Sequence, residues 1–493
     1  MSTDGPAMTE EAATGRWARR LLLLLLAGLL LALPVGWVSS QYLGNEVNSA
    51  LSYNAQDGWC EAGVFPGLGK HCFGDYTQSS LVAEHDFHLS SRDFATQGPY
   101  LSDPTSAYNS LYPPISQFPH VAVTLAREHL LSPEATFYLY ATLLGLAMLL
   151  PAIWVAWGWR HSPFALAPIL LIGIASLPMF AALDRGNSAG FVVPFLLAFA
   201  IFLGREPPWV APAAVVGAAL VRPQFIVLAI GLAAIGRLRQ AAAAIAVFAV
   251  ATVASFALTP RGFSASFSAW RESVTGFKGG FGDLTWEMPA NISVARATVA
   301  TGQWLSDQPS VIGSFGRWLA TAAVAHPLGP SLMLSALAVM TLYLARDVVP
   351  RSVAVVLPLV LAATFPSVVP SYYLMFALVV AALMLGQGLS ERGPRGGMID
   401  GSASEPERAP WYWGWPLVIV TCLSIAPLTF VGSTPPGLPI PRGSIVLEWI
   451  GRLWVLVVLL GLVWVLIRQH QSHRDDLPEA GTASTSGDLT PAP

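Results

Sequence analysis

The chain has 493 residues, of which 54% are hydrophobic and only 11% are charged, and its formal net charge is −3. Soluble domains carry roughly a quarter charged residues, so this chain has too few charges to cover a water-soluble protein of its size. The small net charge gives no indication of a nucleic-acid-binding surface. We therefore expect an integral membrane protein.

Apolar runs able to cross a hydrocarbon core of roughly 30 Å recur along the chain. They predict an all-α polytopic membrane protein with about twelve transmembrane helices. The predicted spans are 18–38, 135–157, 163–183, 189–203, 208–222, 224–236, 240–258, 327–345, 352–368, 371–388, 412–431 and 445–467. The first run follows Arg16, Arg19 and Arg20 and predicts an uncleaved signal anchor, because the run is long and no small-residue cleavage site follows it.

The distribution of arginine between the spans predicts the orientation. One set of connections is arginine-rich and should be cytoplasmic; it contains Arg160, Arg205, Arg237, Arg239, Arg346, Arg351, Arg392, Arg395 and Arg408. The predicted units are a cytoplasmic N-terminus (1–17), a transmembrane core (18–390), a cytoplasmic linker (391–410), a C-terminal transmembrane hairpin (411–467) and a disordered cytoplasmic tail (468–493). Both termini then lie on the cytoplasmic side of the cytoplasmic membrane.

Two long segments, 39–134 and 259–326, face outward in this topology. They are rich in Trp, Tyr, Phe, Gly and Pro, which predicts ordered amphipathic structure on the membrane surface. Cys60 and Cys72 lie in the first of these loops. An extracytoplasmic location would allow a Cys60–Cys72 disulfide, and the alternative is two free thiols.

The middle spans 189–203, 208–222 and 224–236 are short. Short or proline-interrupted helices at membrane depth line a cavity, because their freed backbone groups need polar partners. The alternative is a set of tilted neighbours in a locally thinned bilayer.

Polar residues from distant parts of the chain map to the outer ends of spans or to the outer loops. Such charges are costly unless they are paired or hydrated, so they are functional candidates. They are Asp75, Asp86, Asp184, Arg185, Arg222 and Tyr372. Asp75 or Asp86 could deprotonate an acceptor hydroxyl, and the alternative is that both are solvated loop residues.

Two dense polar interruptions follow. Asp184 and Asn187 flank Arg185, and both are also of the type that caps a helix. Arg222 presents a fork suited to a phosphate or carboxylate, and Pro223 prevents the helix from continuing. The alternative for Arg222 is a side chain that snorkels from a helix end.

The second outer loop carries Lys278 and Arg296, which could contact an anionic headgroup or a phosphate. Tyr372 and Tyr373 precede a late span, and tyrosines there are also common as membrane-belt anchors. No zinc-type Cys/His spacing, phosphate-binding glycine loop or Gly-x-Ser-x-Gly motif is present. The sequence therefore requires neither a metal nor a cofactor.

The order of these features resembles the integral-membrane GT-C glycosyltransferases that use polyprenyl-phosphate sugars. The similarity is greatest to the actinobacterial α-mannosyltransferases of glycosyltransferase family 87, and it covers roughly 15–390. The matching motifs are Phe73-Gly74-Asp75-Tyr76 or Asp86-Phe87, Tyr112-Pro113-Pro114, Arg185-Gly186-Asn187, Arg222-Pro223, Asn291-Ile292-Ser293 and Phe365-Pro366 to Tyr373. Two features depart from the family: the first outer loop is long, and Tyr372-Tyr373 stands where many relatives carry His.

This resemblance implies transfer of mannose from a polyprenyl-phosphate sugar to a glycolipid or glycan acceptor outside the membrane. Asp75, or failing that Asp86, would be the base for an inverting attack. Arg222, Arg185 and Lys278 would bind the donor phosphate. The implied substrate-binding residues are Asp184, Asn187, Tyr112, Asn291 and Tyr372. Membrane lipids are the other expected partners, and no nucleotide is needed.

Two other classes fit the composition. A transporter or flippase of a lipid-linked sugar is suggested by the number of spans and the short central helices, but the span interiors are nearly free of charge. A non-catalytic scaffold would leave the outer Asp and Arg residues without a role.

Overall fold

The computed structural model describes residues 19–32, 76, 79, 112–279, 291–309, 311–387, 410–426 and 442–475. Within these ranges every regular element is helical, which confirms the predicted all-α class for this part of the chain. Residues 19–32 form α1. The following helices are α2 (Phe118–His129), α3 (Pro133–Gly158), α4 (Pro163–Ile174), α5 (Leu177–Arg185), α6 (Val193–Phe202), α7 (Val210–Val221), α8 (Ala229–Ala234) and α9 (Leu238–Ala257).

The second half continues with the same architecture. Its helices are α10 (Phe263–Gly279), α11 (Val294–Ser306), α12 (Val311–Ala325), α13 (Gly329–Leu344), α14 (Arg351–Thr364), α15 (Phe376–Gln387), α16 (Trp411–Ile425) and α17 (Arg442–Asp475). The last helix therefore continues to Asp475, past the predicted boundary at 467.

Three segments, in α3, α9 and α17, are long and apolar enough to cross a membrane: Ala135–Gly158, Leu238–Ala257 and Trp449–His473. Two helix pairs meet the same criterion jointly, with a bend of 47° between α4 and α5 and of 102° between α12 and α13. The described residues thus contain three such helices, or up to five if each bent pair is one span. The total of about twelve spans stays a prediction.

The remaining apolar helices are short because polar or proline-containing turns interrupt them. Short 3₁₀ turns at Ser188–Val192, Pro223–Leu228 and Ser371–Met375 precede α6, α8 and α15. A proline lies at the start of the second of these turns. Because proline lacks a backbone N–H, it begins a helical turn easily but stops the preceding helix from running through.

The core is centred on α14. All residues of α14 from Ser352 to Thr364 are buried. A helix that is apolar on every side is stable only in a protein interior or in lipid, and here protein surrounds it. Gly231 allows this packing, since a Cβ at that position would lie 2.7 Å from the carbonyl oxygen of Ala354.

The C-terminal helices α16 and α17 pack antiparallel on this core. The Trp413 indole donates to the Val457 carbonyl at 3.2 Å, and the Trp454 indole donates to Ser424 Oγ at 2.9 Å. Trp454 also contacts Phe376 of α15, with ring centroids 4.6 Å apart. The predicted C-terminal hairpin is therefore part of the same packed unit as the core.

At one end of this unit, arginine side chains form hydrogen bonds that connect the ends of several helices. Arg351, at the start of α14, donates to the Ile201 carbonyl near the end of α6 at 2.8 Å. Arg468 of α17 donates to the Val348 carbonyl at 3.4 Å. Arg351 belongs to the connections predicted to be cytoplasmic; α6 ends at this end of the unit, and α14 begins there.

The helices α11 and α12 form a tight hairpin. A Cβ at Gly316 would lie 2.5 Å from the Ser306 nitrogen, and one at Gly302 would lie 2.8 Å from the Gly316 carbonyl oxygen. Only glycine lets the two backbones approach this closely.

We expect Gly316→Ala to lower the thermal stability of the protein, because the added methyl group must push one helix of the hairpin away from the other. Overpacking of this kind costs about 1–3 kcal/mol. The measurement is the temperature at which half of the detergent-solubilised protein is lost from its size-exclusion peak. Gly28→Ala in α1 is the matched control, since nothing lies within 4 Å of its added methyl group. Equal stability of the two variants would contradict the tight crossing.

Candidate functional site

The Arg185-Gly186-Asn187 segment forms a sharp turn between α5 and α6. Gly186 has φ 62°, and its N–H and that of Asn187 donate to the Leu183 and Ala182 carbonyls at 3.1 and 3.0 Å. This left-handed ending favours glycine. The Asn187 side chain then caps the next turn by accepting the N–H of Ala189 at 2.8 Å. The capping role considered for Asn187 is thus confirmed.

The same Asn187 oxygen also holds Arg222. An Arg222 terminal nitrogen donates to Asn187 Oδ1 at 2.7 Å, although the two residues are 35 positions apart. Arg222 follows the end of α7 in an extended conformation, and Pro223 starts the next turn. Its side chain is only 5% exposed, so it is enclosed by protein and does not snorkel outward.

Tyrosines surround the Arg222 guanidinium. Its central carbon lies 4.3 Å from the ring centroid of Tyr112, which is cation–π geometry. The Tyr112 hydroxyl lies 3.3 Å from the Tyr373 hydroxyl, 261 positions further along the chain. Tyr372 and Tyr140 are also close enough to interact electrostatically with the guanidinium.

The buried guanidinium has neutral neighbours. Arg222 Nε has no hydrogen-bond partner, and no carboxylate among the described side chains, which do not include that of Asp184, forms an ion pair with Arg222. The contacts with Asn187 and Tyr112 are made by an amide oxygen and an aromatic ring. An enclosed positive charge without a counterion among the described side chains is costly, so this arrangement is suited to binding an anion.

A second aromatic group lies behind the Gly186 turn. The Tyr76 ring packs on Phe137 and Tyr140 with centroid distances of 5.3 and 4.8 Å, and His120 stacks on Tyr140 at 5.3 Å. The Tyr140 hydroxyl donates to the Gly186 carbonyl at 2.9 Å. A Cβ at Gly186 would lie 2.6 Å from Tyr76 Cβ, so Tyr76 presses directly against the turn.

Asn291 joins the second predicted outer loop to the segment before Tyr372. Its amide nitrogen donates to the Ser367 carbonyl at 2.6 Å, and its oxygen accepts the N–H groups of Val369 and Ser293 at 2.9 and 3.0 Å. The Ser293 hydroxyl also donates to the Ser367 carbonyl, at 2.9 Å. The structure thus gives the Asn291 amide a clamping role, and contact with substrate stays a prediction.

The structure brings together Tyr112, Asn187 and Arg222, with Tyr372 beside them. Asp184 and Arg185 lie in the last turn of α5, and Lys278 lies near the end of α10; the side chains of these three residues are outside the description. The candidate bases and cysteines lie outside the described residues: Asp75, Asp86, Cys60 and Cys72. Within the described ranges no three His, Cys, Asp or Glu side chains cluster as metal ligands would.

Tyr373 and Tyr140 were not among the predicted site residues. Tyr373 is adjacent to the predicted Tyr372, so its position next to a candidate was the available signal. Tyr140 lies within an apolar span, where a tyrosine carries no signal of its own. Its role depends on the turn at Gly186, which the sequence does not place near it.

These features define a helical membrane protein in which a buried arginine lies beside an asparagine and several tyrosines at one end of the helix bundle. The chain belongs to glycosyltransferase family 87, whose family model matches residues 111–366, more than half of the 493 residues. It is therefore a membrane glycosyltransferase. Tyr112, Asn187, Arg222 and Asn291 lie within the matched region, whereas Asp75, Asp86 and Tyr372 lie outside it. No curated protein and no solved structure matches the chain.

We expect Asn187→Ala to destabilise the protein, because it removes both the helix cap and the acceptor for a buried guanidinium. Losing the partner of a buried polar group costs about 1–3 kcal/mol. Asn187→Asp keeps both acceptor functions and should retain near-normal stability. Thermal unfolding in detergent measures both variants. An Asn187→Ala protein as stable as the parent would show that the contact with Arg222 does not contribute to the stability of the fold.

Proposed function

We propose that this family 87 glycosyltransferase moves mannose from a polyprenyl-phosphate sugar to a lipid-linked or cell-envelope glycan acceptor. The reaction takes place at the extracytoplasmic side of the cytoplasmic membrane. The observation that carries the proposal is the enclosed Arg222 guanidinium, which contacts Asn187 and Tyr112 and has no carboxylate partner among the described side chains.

A sugar phosphodiester suits this site. It carries a single negative charge, which one guanidinium can balance, and its oxygens match the fork that arginine presents. In a site enclosed by protein this pairing is stronger than in water. Arg185 in the last turn of α5 and Lys278 near the end of α10 are proposed as further phosphate contacts.

The tyrosines supply features that a sugar needs. Aromatic rings pack against the apolar faces of a hexose, and their hydroxyls can bond to its hydroxyl groups. Tyr112, Tyr372 and Tyr373 lie around Arg222, so a sugar attached to a phosphate at Arg222 would be within reach of them. The polyprenyl chain would lie among the spans.

The proposed chemistry is a single displacement. The carboxylate of Asp75 takes the proton of the acceptor hydroxyl, and that oxygen forms a bond to the anomeric carbon from the face opposite the phosphate. The bond between the anomeric carbon and the phosphate oxygen breaks, and its electron pair leaves with polyprenyl phosphate. Arg222 stabilises the negative charge that develops on this leaving group. The step inverts the anomeric centre and needs neither a nucleotide nor an obligatory metal.

The contacts of Tyr76 favour Asp75 over Asp86 as the base. Tyr76 packs against Gly186, and Gly186 precedes the Asn187 that holds Arg222. Asp75 is bonded to Tyr76, and consecutive Cα atoms are about 3.8 Å apart. Asp86 lies ten positions after Tyr76 in the sequence.

We expect Asp75→Asn to lower the rate of transfer about 10²–10⁴-fold, because the acceptor hydroxyl loses its base. Asp86→Asn is the matched control and should keep near-normal activity. The assay is glycolipid formation in membranes supplied with labelled polyprenyl-phosphate mannose, with polyprenyl-phosphate glucose and a nucleotide-linked mannose as donor comparisons. Full activity of Asp75→Asn together with loss of activity in Asp86→Asn would identify Asp86 as the base instead.

We expect Arg222→Gln to reduce transfer about 10²–10³-fold through the lost stabilisation of the leaving group. Arg222→Lys keeps the charge but loses the fork, so it should fall between Arg222→Gln and the parent. Asn187→Asp should fold normally yet transfer poorly, because its carboxylate neutralises Arg222. Movement of the lipid-linked sugar across vesicles by purified protein, without any glycosyl transfer, would instead support a flippase.

A further inference from the structure

The helix α12 has three distinct faces. Gly313, Gly316 and Ala323 are buried against neighbouring protein. A polar stripe, defined as Ser314, Arg317 and Thr321, lies along one exposed side, where Arg317 donates to Ser314 Oγ at 3.2 Å. The spacing of three and four residues keeps each face continuous along the helix.

An apolar stripe occupies the remaining side of α12. It consists of Val311, Phe315 and Trp318, which are 80%, 51% and 62% exposed. The Phe315 and Trp318 rings stack on one another with centroids 5.8 Å apart. Large apolar side chains on an ordered helix that no other part of the described protein covers indicate a contact surface.

The geometry of the chain orients this surface. After α12 the chain turns through 102° into α13, whose apolar side chains Leu332 and Met333 are also exposed, as lipid-facing residues are. If α13 runs across the bilayer, α12 lies nearly parallel to the membrane plane. An amphipathic helix in that orientation places its apolar side in the acyl boundary and its polar side in water.

The composition of the stripe favours lipid over a second copy of the chain. Three side chains expose far less area than the about 800 Å² per partner that stable protein interfaces bury. Tryptophan is typical of the membrane–water boundary. The helices α11 and α12 contain Arg296 and Arg317 and no acidic residue, which suits anionic headgroups.

We propose that α12 is an interfacial helix whose apolar stripe docks into the lipid of the outer leaflet. The helices α11 and α12 are in close backbone contact at Gly302 and Gly316, and the Ser293 hydroxyl before α11 donates a hydrogen bond to the Ser367 carbonyl. Lipid contact at α12 therefore anchors the segment that leads to the site tyrosines. This proposal does not depend on the identity of the donor or acceptor.

Spin labels test the docking on the full chain in vesicles of phosphatidylethanolamine and phosphatidylglycerol. Labels are attached to Val311→Cys, Phe315→Cys and Trp318→Cys, with Ser314→Cys and Thr321→Cys as matched controls and the unchanged chain as the background. The apolar-stripe labels should show a several-fold higher ratio of oxygen to water-soluble nickel collisions than the controls, at a similar depth for all three. A steady increase in depth from 311 to 318 would overturn the proposal in favour of a membrane-entering segment. Shielding from both reagents would overturn it in favour of a protein partner.

Photolabelling of the unchanged protein guards against variants that do not fold. Vesicles containing a diazirine-bearing phosphatidylglycerol are irradiated, and adducts are mapped by mass spectrometry. Adducts on Val311, Phe315 and Trp318 are expected. Adducts confined to the polar stripe, or none on α12 while other exposed apolar helices are labelled, would contradict lipid docking.

Discussion

The structure of the site depends on one hydrogen bond between distant parts of the chain, from the Arg222 guanidinium to the Asn187 amide oxygen. Arginine in a membrane protein is costly to enclose, and a carboxylate partner would make the enclosure cheaper but would also occupy the charge. A neutral amide fixes the guanidinium without neutralising it. The surrounding tyrosines act in the same sense, because their rings attract a cation and leave its charge available to a ligand.

The breaks in the helices bring Arg222 and Asn187 close enough to form this hydrogen bond. The left-handed Gly186 ends α5 and presents Asn187, and the extended Arg222 with Pro223 ends α7 next to it. A continuous helix at either position would have carried these side chains past the bundle end. Because the helices are short, polar side chains from several segments meet at one end of the bundle. At the other end, Arg351 and Arg468 donate hydrogen bonds to backbone carbonyl groups.

Much of the site could be predicted because polar residues interrupt apolar runs. Asn187 and Arg222 are conspicuous on this ground, and Tyr112 follows from the family-like motif that contains it. Tyr373 and Tyr140 are not conspicuous, because an aromatic residue near a membrane packs in a core or anchors at the interface equally well. Their roles depend on contacts between residues far apart in sequence. The all-α class follows from composition, whereas helix breaks such as the bend within the predicted span 163–183 depend on packing that composition does not reveal.

The contact between Gly451 and Ile292 connects the C-terminal helix to the region that the family model matches. A Cβ at Gly451 would lie 3.0 Å from the Ile292 carbonyl oxygen, so α17 rests directly on the motif that clamps the segment before the site tyrosines. Gly451 lies beyond residues 111–366, which the family model matches. The boundary of the family match is therefore not a boundary of the packed unit, and removal of α17 would uncover the backbone beside Ile292.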